Sequence, residues 1–258
     1  TPVVAGAVFP PARDGQILAL YEWEPDSAPA GLDDAAPQLR GVVLIVHGLG
    51  EHALRYEHVA AQLMEWGFAV RSYDQRGHGE SGGVRGAVPS EGALLYDLAE
   101  IVDDTRARAL HRHGGDPAKP LPLILLGHSM GGLIAGRFVA LGVRPVSALV
   151  MSSPALDAGL TAFQRLKLNI GYRLAPNLCV GNGLDADYIS HDEDVVRNYK
   201  ADARIHKKIS PRLGKFITRA GPPTVRAAAN WHLPTLLMFA GQDRLVSPQG
   251  SREFARIA

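Results

Sequence analysis

Short uninterrupted apolar runs alternate along this chain with segments whose apolar residues recur every three or four positions. Val42–Val46, Phe68–Tyr73, Leu123–Leu126, Ala148–Met151 and Leu236–Phe239 are the runs, and each ends in a polar or glycine-rich loop, so each is predicted to be a strand. Strands that alternate with helical patterns predict the α/β class: a mostly parallel sheet with helices on both faces. Upstream, Ile17–Trp23 alternates more loosely after the Asp14-Gly15 turn signal, which predicts an antiparallel hairpin with the Val3–Phe9 region. Glu24–Arg40, rich in Pro, Ala and Asp, reads as a loop.

Tyr56, Val59, Ala60, Leu63 and Met64 fall on one helical face, and Gly67 follows as a stop. Ser90 and Glu91 open a second helix, which carries Leu94, Leu95, Leu98, Ile101 and Val102 on one side. The alternation then breaks, because residues 156–230 lie between two convincing strands and contain none. This stretch is predicted to be a helical cap, which divides the chain into core 1–155, cap 156–230 and core 231–258. In the first cap helix Leu160, Phe163, Leu166, Ile170 and Leu174 form a stripe interleaved with Arg165, Lys167 and Arg173. Such a stripe either packs on the body or meets a lipid surface.

At 258 residues with 46% hydrophobic content, the chain is long enough for one globular domain with a modest insertion. Lys and Arg total 27 against 26 Asp and Glu, so no net field points to nucleic acid and a small or apolar partner is expected. Cys179 has no second cysteine to pair with and reads as a small buried hydrophobe. No apolar run reaches the length of a membrane span, which fits the cytoplasm or the membrane periphery. Secretion stays open, because the sequence begins at Thr1 and not at Met.

Gly127-His128-Ser129-Met130-Gly131 sits between the Leu123–Leu126 strand and a small-residue helical segment. This is the setting of a nucleophile elbow, in which a serine holds strained backbone angles and a Cβ two residues to either side collides across the turn. Acyl transfer by serine also needs a base, a carboxylate to orient it and donors for the oxyanion. Asp243 follows the last strand, where a carboxylate faces the same crevice as Ser129, and it is the candidate acid. Gly48-Leu49-Gly50 follows the first core strand, so the backbone N–H groups of Leu49 and Met130 are the candidate oxyanion donors. His47 is read as a structural hydrogen-bonding residue. Glu51, His52, Arg55 and Tyr56, together with Asp74 and Arg76 in the 74–81 loop, are read as an ion-pair network bracing the oxyanion loop; no metal-ligand spacing is present. His128 of the elbow is counted with these supporting residues.

His47-Gly-Leu-Gly-Glu-His52, Arg55-Tyr56, Asp74-Gln-Arg-Gly-His-Gly-Glu-Ser81, Gly127-His-Ser-Met-Gly-Gly132 and Gly241-Gln-Asp243 occur in order over nearly the whole chain. With them the chain resembles the monoacylglycerol lipase and lysophospholipase group, of bacterial type, in the α/β-hydrolase superfamily. The resemblance implies hydrolysis of monoacylglycerols or similar single-chain lipid esters, a cap over a hydrophobic tunnel, transient membrane or micelle contact through the cap, and no cofactor. It also implies a histidine base one strand beyond the acid. All ten histidines precede Asp243, so the base and the closing strand and helix are expected outside this sequence, with an exposed edge on the Leu236–Phe239 strand. Two alternatives remain: an aminopeptidase of the proline iminopeptidase type, using Asp185, Asp187, Asp192, Glu193 and Asp194 to meet a substrate amine, and a non-catalytic ligand-binding protein that lacks the base.

Overall fold

A computed structural model describes residues 7–8, 12–25, 39–113, 116 and 118–258. Strands β1 (Ala7–Val8), β2 (Ala19–Trp23), β3 (Gly41–Val46), β4 (Phe68–Tyr73), β5 (Leu123–His128), β6 (Ala148–Ser152) and β9 (Thr235–Met238) form one sheet in the order β1-β2-β4-β3-β5-β6-β9. β1 and β2 are antiparallel and the strands from β4 to β9 run parallel. Ala7 opposite Leu20 is the part of the expected hairpin that is seen. Residues 3–6 and 9 of that hairpin, and 26–38 of the expected loop, lie outside the described residues.

β3 is central and buried throughout, because alternate residues feed two cores. Val42, Leu44 and Val46 face α2 (Ala93–His113) and α3 (Met130–Ala140); Val43 and Ile45 join Tyr21, Trp23 and Ala60 of α1 (Glu57–Glu65) on the opposite face. At the far end of the sheet the second face thins out, and Leu236 and Met238 of β9 are 54% and 46% exposed. β9 has one neighbouring strand among the described residues.

Between β6 and β9 lie α4 (Ala162–Leu174), a ribbon of β7 (Val180–Gly181) with β8 (Lys208–Ile209), α5 (Glu193–Ala201) and α6 (Pro211–Ala227). The N-terminus of α4 is fixed by a reciprocal capping box between Thr161 and Gln164. α6 has a different character, since Leu213, Phe216, Ala220 and Val225 belong to the main core with Phe254 of the closing helix α7 (Gln249–Ile257). No helix among the described residues is long and apolar enough to cross a membrane.

Candidate active site

The sharp turn from β5 into α3 places Ser129 at φ 52° and ψ −117°, a region costly for any side chain. Tertiary hydrogen bonds impose it: Ser129 N–H donates to Ser152 O (2.9 Å), and Ser129 O accepts from Ala155 N–H (2.9 Å) and Leu133 N–H (3.1 Å). A Cβ on Gly127 would come within 2.7 Å of Gly132 Cα, and one on Gly131 within 2.5 Å of His47 O. The glycines thus let strand, elbow and oxyanion loop close on one another.

Met130 is the first residue of α3, so its N–H is among the helix-terminal donors without an intrahelical acceptor. Leu49 N–H likewise donates to no protein group among the described residues. The loop that carries it lies against the nucleophile, since a Cβ on Gly48 would sit 3.2 Å from Ser129 Cβ. Glu51 closes this loop: its carboxylate accepts from Gly48 N–H (2.6 Å), Tyr56 Oη (2.7 Å) and Arg55 Nη1 (2.5 Å). Burial opposes ionisation of Glu51, but His128 and Arg55 outweigh it and hold the carboxyl below its ordinary value. His128 itself stands 3.2 Å from Ser152 Oγ through Nδ1.

The expected single bracing network is four separate groups, of which the Glu51 cluster is the first. Asp74, fully buried, accepts from Ala53 N–H (2.7 Å), Glu80 N–H (2.7 Å) and Tyr21 Oη (3.0 Å), and so anchors the turn that follows the oxyanion loop. Arg76 points to α2 and pairs with Asp97 (2.6 Å) and Asp14 (2.7 Å), so it does not reach the Glu51 cluster. His52 reaches the inserted segment, with Nε2 2.8 Å from Asp202 Oδ2. The adjacent residues Glu51 and His52 take partners four or five and 150 residues away, which a sequence cluster does not reveal. Among the described residues no three His, Cys, Asp or Glu side chains are grouped to hold a metal.

His47 accepts from Gln75 N–H at Nε2 (2.9 Å) and its Nδ1 lies 2.7 Å from Gly48 O, which assigns the proton to Nδ1 in a neutral ring. Its ring centroid is 5.3 Å from that of His78, which is 4.6 Å from that of His206. Burial pushes all three below the ordinary 6.5, His206 to about 4 and His78 well below through the two flanking rings as well. Between pH 6.5 and 4 the unfolded chain therefore binds protons that the folded chain refuses, and stability falls as pH falls. We expect thermal melts to show Tm dropping across this window and His206→Gln to lessen the drop; parallel profiles for both proteins would contradict it.

Asp243 follows β9 and its Oδ1 accepts from Leu245 and Val246 N–H (2.8 and 2.9 Å), which aims the turn. Ser129 and Asp243 line a common cavity of about 1580 Å³ with Arg55, Tyr56, Asp185 and Tyr199. Among the described residues no imidazole hydrogen-bonds to Ser129 Oγ or to the Asp243 carboxylate. A second cavity of about 440 Å³, lined by Leu49, Met130, Leu168, Leu178, Ile209 and Ile217, also opens on Ser129. Ser153 was not apparent from the sequence: it has φ 40°, lines the larger cavity and bonds to Met238 O through its N–H (2.7 Å). A non-glycine residue with positive φ leaves no compositional mark.

A strained serine at a strand-to-helix turn, under a glycine-bearing loop at the carboxyl end of a mostly parallel sheet, defines an α/β-hydrolase. Residues 37–258 match the family described as "Serine aminopeptidase, S33", and the chain belongs to it. It is 37% identical over 242 residues to the monoacylglycerol lipase of Mycolicibacterium smegmatis, covering 92% of this chain and 79% of that protein. Human monoglyceride lipase is 30% identical, with coverage of 92% and 73%. The crystal structure of Paleococcus ferrophilus monoacylglycerol lipase superposes with a TM-score of 0.76 at 29% identity, over 93% of this chain and 84% of that one.

Proposed function

We propose that this chain is a serine ester hydrolase that cleaves monoacylglycerols through an acyl-enzyme on Ser129. The observation that carries this reading is the position of Ser129 at the meeting of a small, mostly apolar cavity and a larger, more polar one. An ester of one acyl chain and a small polar alcohol fits that junction, with its carbonyl over the nucleophile. The names of the relatives above support the same substrate class. Leu49 and Met130 N–H are assigned to the oxyanion, where each well-aimed donor contributes about 10²–10³ in rate. Asp243 is assigned as the acid that orients an imidazole base. Stoichiometric labelling of Ser129 by a fluorophosphonate, with monoacylglycerol turned over faster than an aminoacyl arylamide, is the expected result in the intact protein. A folded sample that does not label, or that prefers the arylamide, would overturn it.

Asp185, Asp187 and Glu193 of the aminopeptidase reading line the larger cavity, and four of its five acids have partners of their own. Asp185 and Asp192 cap the helical turns that follow them, Asp187 pairs with Lys200, and Asp194 pairs with Arg197.

We assign residues 157–209 to the cap, since α6 is part of the main core. Leu168 and Gly171 of α4 line the apolar cavity, whereas Phe163, Leu166, Ile170 and Leu174 are exposed, Leu174 to 80%. With Arg165, Lys167 and Arg173 alongside, the exposed stripe supports contact with anionic lipid surfaces. The double change F163D/L174D is expected to cut sedimentation with anionic vesicles at least tenfold while leaving hydrolysis of a soluble short-chain ester within about twofold. Unchanged vesicle binding would remove the assignment.

A further inference from the structure

The loop that carries Leu49 is met by the end of the cap. His206 N–H donates to Gly50 O (2.9 Å), and the approach is so close that a Cβ on Gly50 would overlap His206 O. Tyr199 of α5 lies over the Arg55 guanidinium, 4.6 Å from Cζ to the ring centroid. A third link joins Asp202, the residue just after α5, to His52, just after the oxyanion loop, at 2.8 Å.

His52 is 1% exposed, and its Nδ1 has no hydrogen-bond partner among the described residues. Asp202 is therefore the one hydrogen-bonding partner of the ring among the described residues, with Nε2–H donating to Oδ2. Asp202 is itself held: its carboxylate accepts from Arg204 N–H (2.9 Å) and from Arg204 Nε and Nη2 (3.1 and 3.0 Å), and these bonds keep it well below the usual carboxylate range. A buried ring with a single anchored partner is fixed in one direction, and the backbone that carries it follows directly from Gly48, Leu49 and Glu51. A residue so placed is suited to hold a neighbouring donor to the fraction of an ångström that oxyanion stabilisation demands.

We infer that Asp202 of the cap, acting through His52, is a positioning residue for the oxyanion donor Leu49 N–H, so that cap placement and the stabilisation of the developing oxyanion are coupled. The inference rests on the reaction proposed above. It separates two halves of the cap: α4 lines the apolar cavity, and the Tyr199–His206 arm sets the geometry of the loop beside the nucleophile.

The test is a cycle of His52→Ala, Asp202→Ala and the double variant in the intact protein, with Arg204→Ala as a graded case that keeps the His52–Asp202 pair and removes its side-chain anchor. Each is assayed on a soluble short-chain ester and for its rate of phosphonylation at Ser129, and thermal melts establish that each is folded. We expect each single change to lower kcat and the phosphonylation rate by at least about tenfold, with KM within about threefold, since a displaced donor is missed only where charge develops on the oxygen. The double variant is expected to be no slower than the slower single. Asp202→Asn is expected to recover part of kcat, because its amide oxygen still accepts from Nε2–H. Arg204→Ala, which removes two of the bonds that hold the Asp202 carboxylate, is expected to lower kcat by less than Asp202→Ala does. Folded single variants with full kcat, or losses that multiply in the double variant, overturn the coupling. A parent protein that neither labels nor turns over ester would instead refute the proposed reaction, so the two failures are distinguishable.

Discussion

Alanine at position 129 is expected to lower kcat on monoacylglycerol by on the order of 10⁶-fold and to abolish fluorophosphonate labelling, with the fold intact. The serine hydroxyl is the one nucleophile at the junction of the two cavities, while the hydrogen bonds that impose φ 52° all involve backbone atoms and survive the change. The same geometry makes a second outcome readable. Ser129→Gly relieves a conformation that costs a non-glycine residue about 1–3 kcal/mol, so it is expected to raise Tm while being as inactive as alanine. Residual turnover near the parent level in either variant would show that another group attacks the ester.

The largest expected loss of stability is at Gly131. A Cβ there would overlap Val46 O and come within 2.5 Å of His47 O, both backbone atoms of the strand and loop that carry the proposed oxyanion donor. No rotamer change relieves a clash between a Cβ and backbone, so Gly131→Ala is expected to cost about 4 kcal/mol or more, at the severe end of single substitutions. Gly142 supplies the comparison. It has φ 60° with nothing within 4 Å of a built Cβ, so Gly142→Ala carries only the left-handed backbone cost of about 1–2 kcal/mol. Urea midpoints for the two variants compare the effects directly, and similar losses at both positions would contradict the packing argument.

Much of this architecture was legible in the residues because the core strands are uninterrupted apolar runs. β3, β4, β5 and β6 lie within a residue or two of the predicted spans, and the loose alternation of Ile17–Trp23 corresponds to β2 at the antiparallel side. The features that escaped depend on tertiary contacts. β7 and β8 are two residues each, too short for any period to register. α6 continues through Pro222 and Pro223, a pair that reads as a helix breaker. There Gly221 packs directly on the backbone of Leu156, and Thr218 and Thr224 hydroxyls donate to carbonyls of the preceding turn. Tertiary packing outweighs local preference in that helix. In the site, Ser129, Gly48, Glu51 and Asp243 stood out through their motifs. The partnership of His52 with Asp202 spans 150 residues of sequence and carries no local signature.

The two cavities that meet at Ser129 differ in what they admit. In the proposed reaction, an acyl chain held in the apolar cavity would leave the larger one as the route for departing alcohol and arriving water. Departing alcohol and arriving water therefore compete for the same acyl group, in a chamber of about 1580 Å³ that has room for both. Added glycerol or a short alcohol should then divert acyl groups into new esters, with a partition between transfer and hydrolysis set in the larger cavity and independent of the apolar cavity proposed to hold the chain.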